Sequence, residues 1–221
     1  MKKNIILLFS LFILCSTATF AQKRFEPKHA IGLTGGVNWS YMSFGPTKIK
    51  QKMHLGPTMG LAYRYLESKY FGLQVELLYT QRGWKDELKK YPQYNYSRNL
   101  NYIEIPFLSH IYFGNQRIAG FLNLGPKIGL YLNDKISTNI DRPLTDYETA
   151  HHTLKVANKI DYGITAGLGM EVKMKRHSLV LEGRFYFGLN DLFPNEKKDV
   201  FETSSNQNIS VAATYLFYIK K

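Results

Sequence analysis

Tyr70 to Trp84 reads YFGLQVELLYTQRGW, and its alternation decides the fold. Phe71, Leu73, Val75, Leu77 and Tyr79 share one face of an extended strand, and Gly72, Gln74, Glu76, Leu78 and Thr80 share the other. The period is two, not that of a helix. A strand this long exceeds the usual soluble length of about five or six residues and meets the roughly 9 to 11 that cross a bilayer at a tilt. Its dry face is aliphatic in the middle and aromatic towards both ends, as contact with lipid requires. The other face keeps Glu76 and Arg82, which hydrocarbon does not tolerate.

The same alternation recurs along the chain. Ala30 to Tyr41 sets Ile31, Leu33, Gly35, Val37, Trp39 and Tyr41 against the small or polar Gly32, Thr34, Gly36, Asn38 and Ser40. Leu55 to Leu66 runs back, with Pro57 expected at a rim or a bulge because it lacks a ladder donor. Leu100 to Phe113 places Ile103, Ile105, Phe107 and Ile111 on the dry face, with Glu104, Pro106 and His110 on the other. Ile118 to Leu132, Lys159 to Val172, Ser178 to Asn190 and Gln207 to Ile219 repeat the pattern.

That makes eight strands, whose connections alternate long and short; Met42 to Met53, Lys85 to Asn99, Asn133 to Ala157 and Asp191 to Ser205 are the long ones. An even strand number with short turns at one end and long loops at the other is the bacterial outer-membrane arrangement. The expected fold is therefore all-β: an eight-stranded antiparallel up-and-down transmembrane β-barrel, both termini periplasmic. A soluble ligand-carrying barrel would turn the apolar face inward and leave a glycine-rich exterior with few charges, a poor solvated surface.

Residues 1–21 support export. Lys2 and Lys3 precede an apolar run from Ile5 to Leu14, and Thr19-Phe20-Ala21 offers a small-residue end, so a signal peptide cleaved before Gln22 is expected, with the barrel domain over 22–221. Lipid attachment at Cys15 is the weaker reading, because Leu14 stands where a small residue is wanted. Past residue 21 there is no cysteine, hence no disulfide framework. No later apolar run approaches the roughly 18 residues of a membrane helix, so strands do the spanning, and only a closed sheet pairs all their backbone groups. The net charge of +12 suggests nucleic acid, but an exported chain meets little of it. Outer-membrane lipid and lipopolysaccharide are the better-matched anions, beside an envelope protein partner.

The inner face gathers Arg64, Glu76, Arg82, Glu104, Lys127, Asp161, Glu171, Glu182 and Arg184. Nearly balanced charges in a narrow lumen should pair, and an eight-stranded barrel is filled by side chains, so a salt-bridged plug is favoured over an ion path. No catalytic, cofactor or metal residue is assigned. His151 and His152, near Asp146 and Glu148, are metal-ligand types, but adjacent loop histidines are more often solvated. Ser109 and His110 are neighbours on a strand and point to opposite faces, so they form no nucleophile and base pair. His110 reads as an interior hydrogen-bonding residue. The repeated glycines precede no helix and make no phosphate loop.

Tyr91, Tyr94, Tyr96 and Arg98 in the second long loop are the candidate partner contacts, since aromatics and arginine carry binding energy; the alternative is that they cap the barrel mouth. The function expected is a non-enzymatic structural, partner-binding or secretion-accessory barrel. A narrow porin-like pore for small solutes and a lipid- or peptide-modifying enzyme are the alternatives.

Five stretches together carry a family resemblance: GLTGGVNWS at Gly32 to Ser40, LQVELLYTQRGW at Leu73 to Trp84, YIEIPF at Tyr102 to Phe107, LNLGPKIG at Leu122 to Gly129, and DYGITAGLGMEV at Asp161 to Val172. In order and spacing they resemble the PorT-like outer-membrane β-barrel family. The resemblance implies an outer-membrane barrel and accounts for Pro106, because an E-I-P tripeptide recurs there in such proteins. Its founding member is associated with protein secretion across the outer membrane, but most relatives have no assigned activity, and that role is not carried over. The chain departs from the usual terminal aromatic: Phe217 is followed by Tyr218, Ile219, Lys220 and Lys221.

Overall fold

A computed structural model of the protein describes residues 25–45, 50–87, 91–115, 117–193 and 203–219. The signal-peptide stretch 1–21 and the closing Lys220 and Lys221 lie outside the described residues. Eight strands occur in order: β1 Lys28–Gly45, β2 Lys50–Leu66, β3 Phe71–Glu87, β4 Tyr96–Gly114, β5 Ile118–Thr138, β6 Ile160–Lys173, β7 His177–Asp191 and β8 Thr203–Ile219. Each pairs antiparallel with its sequence neighbours, and β8 pairs with β1 to close the barrel. The closing seam runs from His29 opposite Ile219 to Gly45 opposite Thr203 without a register shift. No sheet edge is left among these strands, which is the condition for crossing hydrocarbon.

The apolar face is outside. Leu33 is 65% exposed, Leu168 67% and Leu181 59%, while Arg64 and Asn123 are fully buried within the lumen. This is the reverse of a soluble barrel. Pro57 stands beside the register shift that separates Met53 from Thr58 in the β2–β3 ladder, as a residue without a ladder donor requires.

The strands are longer than the alternation of apolar residues indicates. β3 runs to Glu87, β4 begins at Tyr96 and β5 continues to Thr138, so two of the long connections shrink. Met42 to Met53 likewise resolves into strand on both sides of residues 46–49. The reason is visible on the outer wall: above Tyr79 the outward residues of β3 become Gln81, Lys85 and Glu87, and below Ile103 those of β4 are Ser97, Asn99 and Asn101. Alternation persists there without hydrophobicity to mark it. A belt of side-chain amides crosses this boundary, with Gln81 Nε2 donating to Asn101 Oδ1 (3.2 Å) and Asn101 Nδ2 to Asn133 Oδ1 (2.7 Å). The barrel thus stands above its apolar band as a polar rim, where Lys52 pairs with Glu87 at 3.3 Å.

Gly83 makes the upper part of β3 possible. Its φ of 155° lies in the region that disfavours side chains, and a Cβ there would sit 2.0 Å from the Arg98 carbonyl oxygen of β4. Ser40 from β1 reaches across to bond its backbone, accepting from Gly83 N–H at 2.8 Å.

Candidate functional site

Two charged clusters fill the lumen. In one, Arg82 donates to Asp161 (2.5 Å) and pairs with Glu104, which also accepts from Lys127 Nζ (3.0 Å). The Arg82 guanidinium lies over the rings of Tyr102 and Tyr186 at 5.0 and 4.6 Å. In the other, Arg184 clamps Glu76 at 2.6 Å through each terminal nitrogen and bonds Glu182 at 2.7 Å. A chain of bonds continues from there: Gln74 bonds Glu76, Arg64 donates to Gln74 (2.7 Å) and Glu171 (3.0 Å), and Tyr218 donates to Glu171 (2.9 Å). A side branch runs from Glu182 through Asn123 (2.8 Å) to His110 (2.7 Å), which is fully buried as an interior hydrogen-bonding residue.

All nine charged residues expected in the lumen are therefore there, each with an opposite charge in reach. Between the clusters lies a cavity of about 30 Å³ lined by Thr34, Asn38, Thr58, Thr80 and Thr165 with Glu76 and Lys127 at its ends. That is space for two or three waters, at roughly 10–15 Å³ each.

The mouth at the long-loop end is closed separately. The chain between β5 and β6 contains a helix of about two turns, α1, spanning Asp146–His152. Thr145 caps it and Glu148 returns the bond to the Thr145 backbone, a capping box that fixes its start. Its last turn delivers His151 and His152 to Asp86 at the top of β3, each Nε2 within 3.2 Å of Oδ2. His152 also stacks on Tyr96, with ring planes 4° apart and centroids at 3.7 Å. Beneath, Trp84, Tyr96, Leu100, Tyr102, Leu192, Phe193 and Met42 form a buried apolar cluster. Arg98 crosses it, donating to Asp134 (2.6 Å) and to the Leu154 carbonyl (2.7 Å).

The four candidate contact residues separate by depth. Tyr96 and Arg98 are 1% and 4% exposed and cap the mouth instead of facing a partner. Tyr91 and Tyr94 remain on the rim, where they hold the Arg142 guanidinium at 4.5 and 6.0 Å from their ring centroids. Arg142 in turn forks onto Glu148 of α1 at 2.5 and 2.9 Å. His151 and His152 do not group with Glu148, which is engaged by Arg142 while both imidazoles turn to Asp86; the Asp146 side chain lies outside the described residues. Among the described residues, no group of three His, Cys, Asp or Glu is arranged to hold a metal ion.

Asp86 and Arg142 were absent from the sequence reading. Asp86 has the inward parity of Glu76 and Arg82, and ending the strand at Trp84 concealed it.

The Asp86 and Glu148 carboxylates anchor the closure. Burial opposes the Asp86 charge, but the hydrogen bonds and charge of His151 and His152 outweigh it and keep the carboxyl below its ordinary range. Arg142 and the Thr145 bonds bring Glu148 down to about 2. A depressed carboxyl stabilises the fold above its unfolded value and ceases to do so as pH falls through its folded value. Acid should therefore release α1 only below the ordinary carboxylate range, with the Glu148 contribution lost as pH falls from 4.5 through about 2. Asp86→Asn leaves two buried imidazoles without their anion, a loss of roughly 1–3 kcal/mol. Amide exchange over residues 146–152 at pH 7 should then speed up by about fivefold or more. Unchanged protection would mean that Asp86 does not hold the helix.

Several solved small barrels are similar in fold. Ail, the attachment invasion locus protein of Yersinia pestis, is 12% identical, with a TM-score of 0.42 over 86% of this chain and 99% of that one. Neisserial surface protein A is 11% identical, with a TM-score of 0.44 over 85% and 97%. The N-terminal barrel of Pseudomonas aeruginosa OprF is 8% identical, with a TM-score of 0.36 over 86% and 99%. No protein of curated function matches the chain. The family described as outer membrane protein beta-barrel domain matches residues 20–194, most of the chain, which carries the β1 to β7 alternation derived above, and the protein belongs to that family.

Proposed function

We propose that this outer-membrane barrel is closed and non-enzymatic and that its working surface is the loop rim, so that it serves as a structural, partner-binding or secretion-accessory protein. The observation that carries the reading is the double closure: paired charges fill the lumen, and α1 covers the mouth through Asp86. A cavity of about 30 Å³ admits water and not a solute. Both termini are assigned to the periplasm, because the short turns 67–70, 115–117 and 174–176 lie at their end and outer-membrane barrels keep short turns on that side. Tyr91, Tyr94 and Arg142 are the rim contacts of this reading.

Two measurements test this. Protein extracted from its native outer membrane in mild detergent should run with a stoichiometric companion, and recovery of the bare chain would remove the partner reading. Reconstituted into planar bilayers, the barrel should give no stepwise conductance. Steady unitary currents in the wild type would replace the closed barrel by a pore.

A further inference from the structure

The outer surface of β3, β4 and β5 changes character abruptly at the top of the apolar wall. Tyr79, Ile103 and Leu130 face one another across the three strands, and the next outward row of the ladder is Gln81, Asn101 and Asn133. These three are the amides that bond in series, Gln81 donating to Asn101 and Asn101 to Asn133. Above them on the same face stand Lys135, opposite Asn99, and Lys85, opposite Ser97. Both lysines are exposed, and neither forms an ion pair among the described residues.

The two lysines lie two strands and one outward row apart. Strands about 4.8 Å apart and a rise of about 3.4 Å per residue put their Cα atoms ~12 Å from each other, room for a sugar ring and its substituents. Glu87, the carboxylate on this panel among the described residues, is taken by Lys52 at 3.3 Å, so the charge of Lys85 and Lys135 is left uncompensated. The field there favours anions. Side-chain amides both donate and accept, as sugar hydroxyls do. The panel is local and not a ring around the barrel: on the neighbouring strands Trp39 of β1 faces Leu55 of β2, both apolar and exposed.

We propose that this panel binds the phosphorylated saccharide headgroup of lipopolysaccharide. Sugar hydroxyls meet the amide row, phosphate meets Lys85 and Lys135, and acyl chains run down the wall over Tyr79, Ile103 and Leu130. A glycerophospholipid brings the phosphate without the array of hydroxyls. A second copy of the chain fits less well, because a two-fold contact through this panel would bring like charges together. The choice of lipid rests on the orientation proposed above, which sets the long-loop end in the outer leaflet.

The test is native mass spectrometry of the delipidated full chain in detergent, given hexa-acylated lipid A, dioleoyl phosphatidylglycerol or digalactosyl diacylglycerol. Wild type should retain lipid A in preference to the other two, which carry phosphate alone and sugar alone. Lys85→Gln with Lys135→Gln should lower that retention roughly thirtyfold, about a factor of five for each lysine. Lys69→Gln with Lys175→Gln removes the same charge from exposed positions at the other end and should leave retention unchanged. Asn101→Leu with Asn133→Leu should abolish the preference over phosphatidylglycerol. Equal retention of lipid A and phosphatidylglycerol by wild type overturns the proposal, as does an equal loss from the two lysine pairs, which would reduce binding to net charge. A lipid-free dimer overturns it in favour of a second copy. Detergent is blind to sidedness, so the orientation is read separately: a tag at Asn115 that proves reachable from outside intact cells would turn the panel to the periplasm and overturn the choice of lipid, whatever the binding in detergent.

Discussion

Arg82→Met should cost the barrel roughly 3–5 kcal/mol, the range for removing one partner of a buried ion pair. Methionine keeps most of the arginine stem's volume and stops short of the guanidinium that lies over Tyr102 and Tyr186, so the loss is chiefly one of charge. What remains is Glu104 and Asp161, both 2% exposed, with Lys127 as the nearby cation. Two carboxylates and one ammonium in a dry lumen leave an uncompensated charge, which desolvation makes expensive. Urea unfolding of protein refolded in detergent gives the number. Removing all four charges together, as R82M/E104Q/K127M/D161N, should recover most of the loss, because a balanced buried cluster and its neutral replacement are often similar in stability. A single-variant loss under about 1 kcal/mol would show that water reaches these groups and that the lumen is wet.

Leu77→Arg acts from the other side of the wall. Leu77 is 48% exposed on the outer face, opposite Leu61 and within the band where β3 presents only apolar residues. Arginine placed near the middle of a membrane strand costs roughly 2–4 kcal/mol, falling towards zero at the interface. The comparison that isolates the lipid is Gln93→Arg, at an exposed turn position above the rim, where the change should be within about 0.5 kcal/mol. Equal tolerance at the two positions would mean that the outer face at Leu77 does not meet hydrocarbon. The two variants probe opposite requirements of one strand: Arg82 needs its charge, and Leu77 must not have one.

What the chain revealed unaided follows from which forces leave a local trace. Alternation of apolar and polar residues assigns inward and outward correctly for the eight strands, down to Glu104 and His110 inside and Ile103 and Ile105 outside. It does so because each residue meets either lipid or lumen and nothing intermediate. The same signal fades above the apolar band. Tyr96 and Arg98 continue the inward parity of Leu100 and Tyr102, but Asn99 and Asn101 on the other face face no hydrocarbon, so the segment resembles a loop. The closure of the mouth leaves less trace still. His151 lies 65 positions from Asp86, and their meeting depends on where α1 is laid across the barrel, which no short window of sequence encodes. The Thr145-to-Glu148 capping box was the one local sign that the longest connection is built and not slack.

The uninterrupted seam between β1 and β8 joins the first and last strands of the barrel. Every other ladder joins strands that follow one another in sequence, whereas this one waits for the eighth strand. Until Thr203 to Ile219 arrives, the full length of β1 is a bare template of backbone donors and acceptors, open to any extended segment. Closure is the step of greatest sequence separation and therefore the one most exposed to error in time. A chain shortened by its final strand would keep that edge open, a hazard and not merely an inactive product.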